Sequence, residues 1–129
     1  MYRSVGLALL LCSSLAFSHE MTPTYPEWQV SYSGGIKKTT MELWNSREDV
    51  QYYEIGVFDE SWKPIPFVTS YKIMKVDYLS HVKFDVYIRE NNIKDARYIC
   101  SLSKLRSNDV SKTLVATRIC SKFKAAWEL

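Results

Sequence analysis

The sequence predicts an all-β fold, a sandwich or small barrel of about seven short antiparallel strands in one domain. Three observations predict it. Apolar and polar residues alternate along most of the chain, and no window of a dozen residues keeps a helical stripe. Turn residues recur at short intervals between the alternating runs. Nine tyrosines, with many Val, Ile and Thr, suit pleated and half-buried surfaces.

The strands follow in order. "EWQVSYS" places Trp28, Val30 and Tyr32 on one face, and Gly34-Gly35 reads as a turn. "IKKTTMELWN" turns Met41 and Leu43 inward. "VQYYEIGVFD" sets Tyr53, Ile55 and Val57 against Tyr52, Glu54, Gly56 and Phe58. Two prolines break the pattern in "ESWKPIP", a loop or edge crossing. "YKIMKVDY" is a short strand. "HVKFDVYIRE" alternates most clearly, with Val82, Phe84, Val86 and Ile88 inward. After a turn at "NNIKD", the stretch from Arg97 to Phe123 supplies the last two strands. Residues 19–26, "HEMTPTYP", read as a loose leader, and "KAAWEL" as a short tail.

Residues 1–18 read as a cleaved secretory signal. Arg3 gives a positive start, "VGLALLLCSSLAF" is an apolar run of signal length, and "AFS" offers small residues before His19. An uncleaved anchor is the alternative. Leu10 and Leu11 precede Cys12, where a lipoprotein signal needs small residues, so Cys12 belongs to the apolar run. Cleavage leaves residues 19–129 as a single β domain, secreted or periplasmic. Its net charge falls from +3 to +2, because Arg3 is the only charge lost. No later run is long enough to span a membrane.

Two cysteines then remain, Cys100 and Cys120. In an exported chain such a pair is a structural disulfide. A zinc site wants four ligands, and no C-x-x-C motif is present. The midpoint of the pair falls in "SNDVS", so both cysteines sit on one hairpin. Cys120 shares its parity with Arg118 and Lys122, while Ile119 and Phe123 point the other way. The disulfide is therefore expected on the solvent face.

Charge is uneven. Residues 42–60 hold six acids against Arg47, and residues 97–124 hold seven bases against Asp109. Arg97, Lys104, Arg106, Lys112, Arg118 and Lys122 mark a basic hairpin suited to an anionic partner, unless the two segments are only solvated surfaces of opposite sign. Nucleic acid does not fit the compartment, and the interleaved residues are aliphatic, not the aromatics of a single-strand binder. The many aromatics from Tyr52 to Tyr87 are core and sheet surface, or an aromatic binding face.

Enzymatic signals are few. The pairs Glu48-Asp49 and Asp59-Glu60 lie at strand ends. No G-x-S-x-G elbow and no H-E-x-x-H motif occurs, and four glycines are too few for a phosphate cradle. The leading reading is a non-enzymatic protein without a cofactor. One metal reading stands beside it. His19 at a processed N-terminus would offer an amine and an imidazole, and His81 a third nitrogen, a donor set that suits Cu(II).

"MELWNSREDVQYYEIGVFDESWKPIP", residues 41–66, resembles the second and third strands of the immunoglobulin-like N-terminal domain of periplasmic pilus-assembly chaperones. Asn45 matches the asparagine that ends the first of those strands, and "HVKFDVYIRE" resembles a later one. The resemblance covers about 50 of the 111 residues after the signal. It implies an immunoglobulin-like sandwich outside the cytoplasm. It suggests a helper in the assembly of a surface structure, such as a pilus or secretion apparatus, binding another exported protein through a strand edge. A structural subunit of such an assembly is the other possibility. Those chaperones have two domains and an arginine–lysine pair that anchors a carboxylate. This chain has room for one domain, and no residue here aligns with that pair.

Overall fold

The structure, a computed structural model, describes residues 18–104 and 116–124. The expected signal up to residue 17, the hairpin turn with Arg106 and Lys112, and the tail from residue 125 lie outside the described residues. Among the described residues eight strands form two antiparallel sheets: β1 His19–Thr22, β2 Gln29–Val30, β3 Ile36–Asn45, β4 Tyr52–Phe58, β5 Ile73–Lys75, β6 Ser80–Arg89, β7 Tyr98–Lys104 and β8 Arg118–Lys122. In the first sheet β3 is central. It pairs with β6 on one side and with β1 and β2 in succession on the other. The second sheet runs β5-β4-β7-β8. Among the described residues no helix is long and apolar enough to cross a membrane.

The alternation that predicts the strands also builds the core. Met41 and Leu43 from β3, and Phe84, Val86 and Ile88 from β6, face Tyr53, Ile55 and Val57 from β4 and Ile99 from β7. Each such apolar side chain contributes about 1.5–3 kcal/mol by leaving water. The turn before β3 uses Gly35 at φ 76°, a left-handed conformation that glycine adopts without Cβ strain. Asp59 closes the loop after β4, accepting the amides of Ser61 and Lys63 at its Oδ1 (2.8 and 2.9 Å).

Two segments differ from expectation. Residues 19–26 are no loose leader: His19–Thr22 pair with Thr22↔Glu42 through His19↔Asn45, and His19 and Met21 are buried. The stretch is short and rich in turn residues after position 22, which hides four residues of alternation at its start. "EWQVSYS" yields only the two-residue β2. Val30 and Tyr32 point to solvent, because β2 lies at the rim of β3 beyond the cover of the second sheet. Trp28 is the residue of that stretch that packs, stacked on Phe123 at 4.5 Å.

Candidate functional site: a disulfide-pinned edge strand

The hydrogen-bond phase of the last hairpin decides which way β8 presents its backbone. Ser103 N–H donates to Thr117 O (2.9 Å) and Phe123 N–H to Arg97 O (2.8 Å). Odd-numbered rungs of β7–β8 are therefore hydrogen-bonded, and the even rungs, including Cys100↔Cys120, are not. The close approach of a non-hydrogen-bonded pair places these two Cα atoms 4.1 Å apart, and the cysteines are joined as a disulfide. The same phase turns the N–H and C=O groups of Arg118, Cys120 and Lys122 away from β7. Lys122 N–H is taken by Thr24 O (3.0 Å). Among the described residues no strand pairs with the outward backbone of Arg118 and Cys120, although β1 runs close beside β8, with His19 at Thr117 and Thr24 at Lys122.

Side chains of this hairpin divide by parity, as expected. Ile99, Ser101, Ile119 and Ser121 face the core, and the disulfide lies on the outer face with Leu102, Arg118 and Lys122. Although it lies on that face, Cys100 is buried. Arg118 lies 5.5 Å from the Phe58 ring and 6.0 Å from the Trp62 ring, and Trp62 stacks flat on Tyr98 at 4.2 Å. Gly56 sits beneath Phe58: a Cβ there would come within 2.8 Å of the ring. Outer-face rings and the Arg118 cation thus cover the disulfide.

Among the described residues the expected basic hairpin is not one surface. Arg97 is buried and donates to Phe123 O from Nη1 (3.1 Å), a structural role. Lys104 pairs with Glu54 at 2.6 Å. Arg118 and Lys122 remain on the outer face, and Lys124 lies 5.7 Å from the Tyr25 ring.

The two histidines are not brought together. His19 opposes Asn45 and points into the sandwich, whereas His81 opposes Trp44 on the next rung, and neighbouring rungs face opposite ways. His81 stacks on Trp44 at 4.2 Å, with Nε2 3.6 Å from Glu42.

Between the sheets, beside the open end of β8, lies a polar network that the alternation did not reveal. Asn45, at the end of β3, is its hub. Its Nδ2 donates to Val50 O (2.7 Å) and Val76 O (2.9 Å), and its Oδ1 accepts Arg47 N–H (2.8 Å) and the Tyr53 hydroxyl (2.5 Å). Arg47 forks onto Asp49 at 3.0 and 2.7 Å. Burial pushes the Tyr53 hydroxyl up to about 12, so it stays protonated and donates. The one sequence signal for the network was polar residues at inward parity: Asn45, Ser101 and Ser103.

His19 ties β1 into this network. Its Nε2 lies 3.1 Å from Ser101 O and 2.9 Å from Ser101 Oγ. A carbonyl only accepts, so Nε2 carries the proton and Nδ1 accepts from Thr117 Oγ1 at 3.2 Å. Burial, the largest cause, lowers the imidazole below its ordinary 6.5. The Ser101 carbonyl raises it in part, and the Arg47 charge lowers it further. As pH falls through 6.5 the unfolded chain takes up a proton before the folded one does. Stability is therefore full above about pH 7 and declines from there down to the folded pKa. Thermal melts between about pH 7 and pH 5 should show this decline, and His19→Gln should flatten it. An equally steep decline in the variant would mean that another group controls it.

No family model matches the sequence, and no curated protein matches it significantly. Solved structures do share its architecture. The E. coli chaperone DraB superposes with a TM-score of 0.56 over 83% of this chain and 54% of that one, at 17% identity. A structure of the Salmonella enterica SafA pilin in complex with the SafB chaperone matches with a TM-score of 0.58 over 88% of this chain and 57% of that one, at 16% identity. What is shared is the fold, an immunoglobulin-like sandwich, and the resemblance read from residues 41–66 and the "HVKFDVYIRE" strand holds at that level. The chain spans little more than half the length of these two.

Proposed function

We propose that this is an exported, non-enzymatic protein that binds another exported protein by adding a strand to its own edge, a chaperone-like or accessory component of a pilus or secretion apparatus. The observation that carries this reading is that no described strand pairs with the outward backbone of Arg118 and Cys120, on a strand pinned by a disulfide. Backbone donors and acceptors on such an edge supply affinity without demanding a particular partner sequence, and alternate side chains supply selectivity. The disulfide fits an oxidising compartment. The chaperone folds named above, one of them solved with a pilin, support the assembly role.

The test uses the phase of the ladder. Arg118→Pro removes an edge-facing N–H but none that bonds to β7, and proline is tolerated on edge strands. With a photo-crosslinking residue in place of Lys122, irradiation in the native compartment should give one discrete heavier adduct. Adding Arg118→Pro should reduce that adduct about tenfold while the melting temperature moves by only a few degrees. An undiminished adduct would show that the partner does not use this edge.

A further inference from the structure

We propose that the cleft at the opposite end of the sandwich binds small carboxylates that carry an apolar body. The cleft has a volume of about 620 Å³ and is lined by Ile36, Phe67, Val68, Tyr87, Arg89 and Asn92. A second recess of about 610 Å³ continues it past Ile36 and Arg89.

Its lining mixes apolar, aromatic and cationic residues. Along the wall, Val68 and Tyr87 exchange both backbone hydrogen bonds (2.9 and 2.8 Å), so the peptide groups there are already satisfied. What that stretch offers a ligand is apolar and aromatic surface, and Val68 is two-thirds exposed. Arg89 and Asn92 also line the cleft. Among the described residues Arg89 has no carboxylate within ion-pair distance. The nearest acid in sequence, Glu90, faces Lys37 at 4.0 Å. Lys72, 5.5 Å from the Phe67 ring, adds a second cation at the rim. An apolar cleft that includes a planar cation in its lining selects an amphipathic anion. A guanidinium accepts a carboxylate through two parallel hydrogen bonds while the body of the ligand covers the rings.

The probe is phenylbutyrate, compared with phenylbutanol and phenylbutylamine, in an amide chemical-shift titration of the full chain. Phenylbutyrate should give saturable shifts centred on Val68, Tyr87, Arg89 and Asn92. The alcohol should bind about tenfold more weakly and the amine more weakly still, as loss of one charge-assisted contact predicts. Arg89→Gln should bring the carboxylate down to the level of the alcohol. Val68→Asp leaves Arg89 in place, sets a negative charge on the wall and should abolish binding of the acid. If Arg89→Gln disturbs the amide spectrum, Val68→Asp decides alone. Equal affinity for acid and alcohol, undiminished binding in Val68→Asp, or no saturable shift up to roughly 10 mM would overturn the proposal.

Discussion

Asn45→Ala should lower the unfolding free energy by about 3–5 kcal/mol, the largest loss expected of any single polar substitution in this protein. Asn45 is buried and uses both donors and both acceptor sites. Its partners come from three places in the chain: Val50 after β3, Tyr53 in β4 and Val76 after β5. Its own carbonyl also accepts Leu79 N–H (2.8 Å). Truncation leaves an amide, a phenol and two carbonyls facing a small void, each with a desolvation cost of about 1–3 kcal/mol where water cannot enter. Tyr53→Phe removes one donor from the same hub and should cost only about 1–2 kcal/mol. The double variant should fall short of the sum, because the two residues share a bond. Denaturant unfolding of the four proteins measures this. Additive losses would mean that Asn45 acts by filling space and not as a hub.

The fold was legible because its core is written in period two. Val82 to Ile88 and Tyr53 to Val57 declare their faces residue by residue, and a one-residue error of register would turn each whole set to solvent. Parity alone also placed the disulfide on the outer face, a placement that rests on the cysteines sharing a side with Arg118 and Lys122. The sequence said less where the inner face is polar. Ser101, Ser103 and Asn45 interrupt the apolar alternation, and a single strand does not show that they meet His19, Thr117 and Arg47 across the sandwich. His19 is the clearest instance. As the first residue after an expected cleavage site it reads as a free metal ligand; its pairing with Asn45 and Ser101 makes it a buried clip. Charge misled in a similar way. The basic run from Arg97 to Lys124 looks continuous in sequence, but strand geometry sends Arg97 inward and neutralises Lys104 with Glu54.

Loss of the Cys100–Cys120 bond should cost about 3 kcal/mol, and its local effect should exceed its global one. The bond closes a loop with a sequence separation of 20, and the entropy of that closure in the unfolded chain sets the magnitude. For a domain of this size the melting temperature of Cys100→Ala with Cys120→Ala should fall by roughly 10–20 °C. The double alanine variant is the appropriate comparison, because a serine at position 100 would bury an unpaired hydroxyl. The local effect follows from position. β8 is held by β7 on one side, and on the other by β1 beside it and a bond from Lys122 to Thr24. Without the staple, the amides of Ile119 and Ser121, which bond to β7, should exchange with solvent before those of β3 and β6 do. If β8 is the strand that receives a partner, the same variant should lose crosslinking at position 122 at temperatures where the core is still folded. Binding would then require the order of β8 beyond the stability of the domain. Retained crosslinking together with fast amide exchange would show instead that the partner orders the strand as it binds.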